Sequence, residues 1–464
     1  MKRWLICLCS VAILATSFFT PATAADNKAV NSDAKPLRYK VHIGQELIYT
    51  GESDFQHDDG SIKTKINWKL LPVRQNPDGG CRMLIRQGTS RGRTKKGEAE
   101  VTYSPEKVSM AWCDLAPDGC IADNPTLDFT LDVRAVLPQL PKAGQTSWQC
   151  DNSLTTVHDD YKLLESNAAD ADHIRFEDVS KTPTDEIYLS SKKSTFSFDV
   201  KRGLVDQADA ETAQGYGVEG RGTTRLSLSE VAQVDPNIAT FVAVEMTDYF
   251  AVKQEYEELL SEAEKDATRS SDLSTRAKAI LEDLRATVQS EIFQSQLDAD
   301  LKRHDTVAKH ALEQAQRFAA VVGQPSPTWQ TTDLAGNTRS IEDCRGKVVV
   351  LDFWYRGCGW CIRAMPQIKQ LAAHCQGQPV EVFGMNTDDD QADARFVVEK
   401  LALSYPTLKA DGLDEKYGVR GFPTLLIIDQ AGTVREVHVG YSPTLGKSVT
   451  ASIDKLLAET AAAK

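Results

Sequence analysis

One short stretch constrains the fold more than any other part of the chain: an apolar run that leads into two closely spaced cysteines. Residues 348–354 read Val-Val-Val-Leu-Asp-Phe-Trp, and Cys-Gly-Trp-Cys follows at 358–361. A β-branched run of this length predicts a buried strand, and the amphipathic segment 362–373 predicts a helix. Cys358 then lies at the helix N-terminus, where unpaired N–H groups favour a thiolate. The pattern predicts a redox site in which Cys358 attacks and Cys361 resolves the mixed disulfide.

Length and charge limit the kinds of protein that this chain can be. A chain of 464 residues is too long for one ordinary core, so two or three domains are expected. Its composition, 41% hydrophobic and 26% charged, favours globular folding over disorder. A net charge of -13 without a basic cluster argues against nucleic acid as a partner, because phosphate binding needs concentrated Lys and Arg.

The N-terminus has the organisation of an export signal. Lys2 and Arg3 precede an apolar run over residues 4–19, and the small-residue site Ala-Thr-Ala follows, ending at Ala24. The run is shorter than the ~20 residues that span a bilayer, which favours cleavage after Ala24 over an uncleaved anchor. We therefore expect residues 1–24 to be a signal peptide and residues 25–35 a flexible lead-in. The mature protein is expected in the periplasm or cell envelope.

Two different periodicities divide the rest of the N-terminal two-thirds. Residues 36–234 alternate apolar and polar positions in short runs separated by Gly-, Asp- and Pro-rich turns. They predict a mostly antiparallel β domain, and a sandwich, an open barrel and a half-barrel all fit the pattern. Over 235–322 the apolar period changes to about 3.6, which predicts a helical hairpin or three-helix connector. An oligomerising coiled coil is the alternative for this segment.

Four cysteines of the β domain are candidates for structural disulfides, because an oxidising compartment permits them. Cys113 and Cys120 flank the turn Pro117-Asp118-Gly119, so a bridge between them would staple one hairpin end. Of the three possible connectivities, this one leaves Cys81 with Cys150 by elimination. Since no Cys-x-x-Cys or neighbouring His spacing accompanies these cysteines, we expect no metal site.

Residues 323–464 alternate strand and helix patterns after a Gly- and Pro-rich boundary. The apolar runs at 380–385, 425–428 and 434–439 predict further strands, with helices at 392–401 and 444–457. This order predicts an α/β domain with a mixed central sheet covered on both faces.

Two more cysteines lie near the redox motif in this part of the chain. Cys344 precedes the buried strand and Cys375 ends the following helix, so both belong at the end of the domain opposite Cys358. They are expected to form a structural disulfide, with two inert buried thiols as the alternative.

Several motifs in this region occur together in the order of a thioredoxin domain. Asp352-Phe353-Trp354, the Cys-Gly-Trp-Cys motif, Met365-Pro366 and Gly421-Phe422-Pro423-Thr424 carry the likeness. The extension before the first strand and the stretch 384–388 resemble the exported TlpA/ResA-type thiol-disulfide oxidoreductases. The resemblance covers about residues 323–464 and leaves the β domain and the connector unrecognised.

The resemblance implies roles around the dithiol. Pro423, preceded by Phe422, would be the cis-proline that presents backbone to an extended substrate segment. Asp352 matches the buried acid that assists proton transfer at Cys361, and burial should raise its pKa towards neutrality. Trp360 stands where the family usually has proline, so the reducing strength cannot be carried over from the family.

Two further residues near the motif are open to more than one interpretation. Trp354 and Trp360 are candidates for an apolar substrate rim, but Trp354 could equally be a packing residue. Arg356 could stabilise the Cys358 thiolate or be a solvated loop cation.

The leading hypothesis is an exported thioredoxin-like enzyme that reduces disulfides in other envelope proteins through Cys358 and Cys361. It would need no cofactor beyond this dithiol. It would, however, need a separate thiol electron donor, for which a membrane protein is one candidate. A peroxiredoxin-like peroxidase is disfavoured because Leu351 and Tyr355 replace that family's Pro and Thr or Ser. The alternative is an envelope protein whose β domain binds a ligand or partner, with the thioredoxin domain as an auxiliary unit.

Overall fold

The computed structural model describes most of the chain after the N-terminal segment. The described residues are 36–97, 100–122, 126, 131, 133–152, 157–164, 172–179, 191–214, 220–442 and 444–462. The expected signal peptide and lead-in, residues 1–35, lie outside this range.

A large antiparallel sheet forms the N-terminal part of the described chain, as the alternating pattern predicts. Its ten described strands are β1 Gln45–His57, β2 Gly60–Gln75, β3 Cys81–Lys95, β4 Lys107–Leu115, β5 Ser147–Asn152, β6 Val157–Leu163, β7 His173–Asp178, β8 Ser191–Asp199, β9 Leu204–Gln214 and β10 Gly220–Gln233. Their spatial order is β4-β3-β2-β1-β10-β9-β8-β7-β6-β5. Most strands therefore pair with a sequence neighbour, which short turns between antiparallel strands permit.

This sheet is curled around one core. Arg134, in the connection between the edge strands β4 and β5, lies close enough to act electrostatically on both Cys113 of β4 and Cys150 of β5. Neighbouring strands lie about 4.8 Å apart, so the two edges of a flat ten-stranded sheet could not meet. The single sheet therefore forms an open, barrel-like structure rather than two stacked sheets.

Three helices cover the outer side of β2 and β3: α1 Pro236–Ala263, α2 Ser270–Thr287 and α3 Glu291–Ala319. Leu70 of β2 faces the inner core, whereas Leu71 packs with the helices, as the alternation of strand side chains requires. Asp235 caps α1 and Ser290 caps α3 by accepting backbone N–H groups. Among the described helices, none has both the length and the apolar character needed to cross a membrane.

The C-terminal part has the thioredoxin-like fold that the sequence predicts. Its elements are β11 Gln330–Thr332, β12 Thr338–Ser340, β13 Val348–Trp354, α4 Gly359–His374, β14 Val380–Asn386, α5 Gln391–Lys400, β15 Thr407–Lys409, α6 Leu413–Lys416, β16 Thr424–Ile428, β17 Val434–Val439 and α7 Leu445–Ala462. The main sheet has the order β15-β14-β13-β16-β17. Strands β13, β14 and β15 are parallel, and β16 and β17 are antiparallel to their neighbours.

Strand β13 is central and buried along its whole length. Val349, Leu351 and Phe353 belong to the hydrophobic cluster on one face of the sheet, whereas Val348 and Val350 belong to the cluster on the other. Burial on both faces explains why this strand is a continuous apolar run without alternation. It also carries the residues of the redox motif to one end of the sheet.

The expected disulfide between Cys344 and Cys375 is wrong. Cys344 lies in a short 3-10 turn and packs on one face of the central sheet, where its Sγ donates to the Ser340 carbonyl at 3.5 Å. Cys375 packs on the opposite face. The sheet separates the two sulfurs. Both residues are buried thiols, which was the alternative to a disulfide in the sequence analysis.

The expected pairing of the N-terminal cysteines is also wrong. Cys81, Cys113, Cys120 and Cys150 form no disulfide in the structure. Cys113 points into the core from β4, whereas Cys120 lies on the surface beyond the turn, so the two point in different directions. The side chain of Cys120 instead hydrogen-bonds to that of Cys150, and Cys81 lies near Cys113.

Candidate active site

The redox motif lies where β13 ends and α4 begins. Cys358 and Cys361 form a disulfide with their Cα atoms 5.2 Å apart. Cys358 is the N-cap residue of α4, as the sequence predicts, and its Sγ accepts the Cys361 N–H at 3.1 Å. The same N–H and the positive end of the helix would stabilise a Cys358 thiolate after reduction. Cys358 is 6% exposed and Cys361 1%, so Cys358 is the more accessible sulfur.

The segment Phe422-Pro423 lies against this motif. Thr424 pairs with Phe353 in the β13–β16 ladder, so Pro423 is placed at the end of the sheet to which β13 leads. The peptide bond between Phe422 and Pro423 is cis, and the Pro423 carbonyl accepts the Gly440 N–H at 2.8 Å. Phe422 packs against the hydrophobic cluster that contains both cysteines.

Asp352 is a carboxyl buried within β13. It is 1% exposed, and burial raises its pKa to about 7, which the nearby Tyr405 hydroxyl partly opposes. Among the described residues, neither its Oδ1 nor the Tyr405 hydroxyl has a well-formed hydrogen bond. A carboxyl of this kind exchanges its proton near neutral pH, as a general acid or base must.

Tyr405 and Gly384 surround Asp352, and sequence reasoning missed both. Gly384 pairs with Asp352 across the β13–β14 ladder. A Cβ at Gly384 would come within 2.9 Å of Trp354 Nε1 and 3.2 Å of Tyr405 Cε2. The glycine therefore makes room for two aromatic side chains beside the carboxyl. Only the strand register brings these residues together, and a glycine inside a predicted strand is the one sequence signal for such a close approach.

The interpretation of Trp354 as a substrate-rim residue is wrong. Its side chain is fully buried in the cluster that contains Cys358 and Cys361. The reason is its position on a central strand that is covered on both faces. Trp354 therefore packs against the interior side of the motif and is not exposed to a substrate.

Exposed aromatic side chains do surround the motif. Trp360 is 39% exposed and stacks on Tyr441 with ring centroids 5.5 Å apart. Tyr355 is 37% exposed and meets Phe422 edge-on at 5.2 Å. Sequence analysis identified Trp360 and Phe422 but missed both tyrosines. The position of Tyr355 three residues before Cys358 was a usable signal, whereas Tyr441 is brought in by the end of β17.

Arg356 has neither of the roles considered for it from sequence. Its guanidinium forms an ion pair with Asp393 at 2.6 Å and lies 4.4 Å from the Phe396 ring centre. Its backbone N–H donates to Asp388 Oδ2 at 2.8 Å. Arg356 is buried and fastens the loop before the motif to the start of α5. Asp390 caps that helix by accepting the Ala392 N–H, as expected for an Asp-rich helix start.

Within the described ranges, no group of three or more His, Cys, Asp or Glu side chains is arranged to hold a metal ion. The site that the geometry presents consists of a disulfide, a buried carboxyl, a proline segment and an aromatic rim.

Comparison with known proteins identifies relatives of this region. The Redoxin family model matches residues 321–456. The thiol-disulfide oxidoreductase ResA of Geobacillus thermodenitrificans is 32% identical over 127 residues, which cover 27% of this chain and 73% of that protein. The ResA of Halalkalibacterium halodurans is 30% identical over 128 residues, with the same coverage. A crystal structure of the thiol:disulfide interchange protein DsbE from Chlorobium tepidum has 28% identity, covers 29% of this chain and 97% of that one, and gives a TM-score of 0.28.

Proposed function

Since this chain belongs, through its C-terminal region, to the ResA family of thiol-disulfide oxidoreductases, we propose that it reduces disulfides of exported proteins through the Cys358–Cys361 dithiol. The observation that carries this proposal is the position of Cys358 as the N-cap of α4, with a backbone N–H aimed at its sulfur. This arrangement favours the thiolate, and the thiolate is the species that attacks a disulfide.

The proposed reaction begins from the dithiol. The Cys358 thiolate attacks one substrate sulfur, and the other substrate sulfur leaves as a thiolate that takes a proton. Asp352 accepts the proton of Cys361, and the resulting thiolate attacks Cys358 in the mixed disulfide. The second substrate thiol is released, and the enzyme is left with the Cys358–Cys361 disulfide.

The aromatic rim and Pro423 suggest how a substrate is held. Trp360, Tyr441, Tyr355 and Phe422 offer apolar contact area around the sulfurs. The backbone beside Pro423 would pair with an extended segment of the substrate. These features favour a protein or peptide disulfide over a small-molecule disulfide as the substrate.

The cellular setting and domain limits are part of the same proposal. Residues 1–24 would direct export, and the substrates would be envelope proteins with disulfides. A separate thiol donor would return electrons to the dithiol, which needs no other cofactor. The chain would comprise a β domain over 36–234, a helical connector over 235–322 and the redox domain over 323–464.

A trapping experiment tests the proposal. Cys361→Ser removes the resolving thiol, so mixed disulfides between Cys358 and envelope proteins should accumulate when the full chain is expressed with its export signal. Cys375→Ser is the matched control, because this buried thiol lies on the other side of the domain from the motif. If Cys361→Ser yields no more mixed disulfides than Cys375→Ser, the proposed function is wrong.

A further inference from the structure

The buried carboxyl of Asp352 belongs to a row of residues that crosses three parallel strands. Asp352 pairs with Gly384 in the β13–β14 ladder, and Gly384 pairs with Thr407 in the β14–β15 ladder. Paired residues on neighbouring strands project from the same face of a sheet. Because the middle residue is a glycine, no side chain of β14 stands between the Asp352 carboxyl and the Thr407 hydroxyl.

Polar atoms from both sides of this row meet at the glycine. A Cβ added at Gly384 would lie 2.9 Å from Trp354 Nε1 and 3.1 Å from Thr407 Oγ1. It would also lie 3.2 Å from Cε2 of Tyr405, the ring carbon next to the one that carries the hydroxyl. Trp354 follows Asp352 by two residues on the same strand, so both side chains lie on the same face. The strand register therefore gathers an indole N–H, two hydroxyls and a carboxyl in one region.

The four polar groups share one unusual property. They are at most 4% exposed, and among the described residues each has a buried polar atom without a hydrogen-bond partner: Asp352 Oδ1, Trp354 Nε1, Tyr405 Oη and Thr407 Oγ1. Buried polar groups are nearly always paired with protein or with ordered water, since an unpaired one loses its hydration without compensation. Four unpaired atoms around the proposed general base therefore indicate a shared ligand rather than four separate defects.

The hydrogen-bonding capacities of these groups match those of a single water molecule. The indole N–H of Trp354 can only donate and an ionised Asp352 can only accept, whereas the hydroxyls of Tyr405 and Thr407 can do either. A water that accepts from Trp354 and Tyr405 can donate to Asp352 and Thr407, which uses both of its donors and both of its acceptors. Buried waters typically make about three hydrogen bonds to otherwise unpaired polar groups. A metal ion does not fit this set, because an indole N–H cannot bind one.

We propose that Trp354, Tyr405 and Thr407 bind one water molecule that hydrogen-bonds to Asp352, and that Thr407 is thereby a positioning residue for the proton transfer at Asp352. The proposal rests on the proposed function only for that proton transfer. The proton passes from Cys361 Sγ to a carboxylate oxygen, and the water neither gains nor loses one. A hydrogen bond from the water stabilises the ionised carboxylate, which is the form that Asp352 needs in order to act as the base.

A change in the ionisation of Asp352 can be assigned to this site because few other groups act on the carboxyl. Besides burial, the Tyr405 hydroxyl is the group among the described residues that shifts the pKa of Asp352. Helix α4 brings Cys358 and Cys361 into one cluster with Trp354, but these cysteines are joined in the oxidised protein and do not titrate. The pKa of Asp352 in the oxidised protein therefore reports on burial and on hydrogen bonds to the carboxyl.

The first test looks for the water directly. A crystal structure of the oxidised full chain, at a resolution that shows ordered water, should contain one water within hydrogen-bond distance of Asp352 Oδ1, Trp354 Nε1 and Thr407 Oγ1. A structure in which no water meets these atoms, or in which the four polar groups pair with one another, would overturn the proposal. This readout needs no enzymatic activity, so it is independent of the proposed function.

The second test measures the effect on Asp352. Thr407→Val exchanges the hydroxyl for a methyl group of similar size, so the water loses one of its four partners. The pKa of Asp352 in the oxidised protein, followed by the NMR shift of its carboxyl carbon, should rise by about 0.5 to 1, the equivalent of weakening one hydrogen bond. Thr331→Val is the matched control, because Thr331 is also buried but donates to the Lys409 carbonyl at 2.8 Å. The control should leave the pKa of Asp352 unchanged, and equal pKa changes in the two variants would refute the role of Thr407.

A conservative variant separates a polar role of Thr407 from a packing role. Thr407→Ser keeps the hydroxyl and should keep the wild-type pKa of Asp352. A rise as large in Thr407→Ser as in Thr407→Val would show that packing controls the carboxyl, which contradicts the proposal. If Thr407→Val fails to fold, as judged by circular dichroism, Thr407→Ala takes its place with the same expected rise. If the water and the rise in pKa are found but Cys361→Ser traps no partner, the proposed function is wrong and the water site stands.

Discussion

At the residue scale, the ionisation of Asp352 is expected to affect both the chemistry and the stability of the folded chain. The carboxyl is buried on the strand that leads to Cys358, and its pKa is raised to about 7 because burial disfavours the charged form. Gly384 pairs with Asp352 across the sheet, and the Tyr405 hydroxyl lies beside the carboxyl. A carboxyl held in this way costs stability when ionised, which is the usual sign of a group retained for function.

Asp352→Asn should slow the resolving step by about 100-fold, since general acid–base catalysis contributes 10²–10⁴. In the wild type, the rate should rise as pH increases through about 7, because the base must be ionised. The variant should lose this dependence. The rate of the resolving step is measured by stopped-flow as the decay of a mixed disulfide, with Asp390→Asn as the control. An unchanged inflection in the pH dependence of Asp352→Asn would contradict a role for Asp352 as the base.

Tyr405→Phe gives a second check on the same residue. The tyrosine hydroxyl lowers the pKa of Asp352, so its removal should move the inflection to higher pH. If Tyr405 has only a structural role, Tyr405→Phe should lower the stability of the protein without moving the inflection.

Asp352 should also make stability pH-dependent with a defined sign. Below about pH 4 the carboxyl is protonated in folded and unfolded chains, so it costs nothing there. Between about pH 4 and the folded pKa of about 7, only the unfolded state ionises, and stability falls as pH rises. The free energy of unfolding of Asp352→Asn should therefore rise relative to that of the wild type by on the order of a few kcal/mol between acid and alkaline pH. Urea unfolding of the oxidised proteins measures the difference, which should not vary with pH if Asp352 is an ordinary exposed acid.

At the element scale, the position of the motif depends on how β14 packs against β13. Gly384 on β14 stands beside Asp352, and the space it leaves is filled by Trp354 and Tyr405. Arg356 adds a second attachment by joining the loop before Cys358 to α5. The motif is therefore held by neighbouring elements as well as by its own strand and helix.

Gly384→Ala should destabilise the redox region by about 1–3 kcal/mol, because the added Cβ would lie 2.9 Å from the Trp354 indole nitrogen. Gly421→Ala is the control, since its Cβ would meet only Val439 Cγ1 at an ordinary 3.8 Å. Urea unfolding followed by tryptophan fluorescence compares them. Equal effects of the two substitutions would show that the packing at Gly384 is not close.

At the scale of the whole molecule, the third long helix, α3, contributes to the C-terminal core. Phe318 on α3 is 4% exposed and packs in the same cluster as Trp329, Phe353 and Tyr417. Gly323 then hydrogen-bonds to Val434 of β17. The helix and the redox region are joined by shared apolar contacts as well as by the chain.

Phe318→Ala should lower the stability of the C-terminal region by about 3 kcal/mol, the usual loss for a buried Phe. The loss should appear as a lower Tm in the transition that reports on Trp329. Leu312→Ala, a partly exposed position on the same helix, is the control and should cost less. If both variants leave the transition unchanged, α3 does not support the redox region.

Local patterns in the sequence were sufficient for much of the fold. The apolar run at 348–354, the cysteine spacing and the shift in period near Asp235 predicted strand, helix start and helical segment, because these depend on neighbours in the chain. They also placed Cys358 as the N-cap and Asp352 on the buried strand. The resemblance to a known family added Phe422 and Pro423.

Only the tertiary structure decided which distant residues meet. It placed Cys344 and Cys375 on opposite faces of a sheet, buried Trp354, and brought Cys120 to Cys150 by curling ten described strands around one core. Tyr405 and Tyr441 joined the site for the same reason. Strand register and the curvature of a sheet are set by the packing of the whole molecule, whereas periodicity and spacing record only which face a residue occupies and what lies next to it.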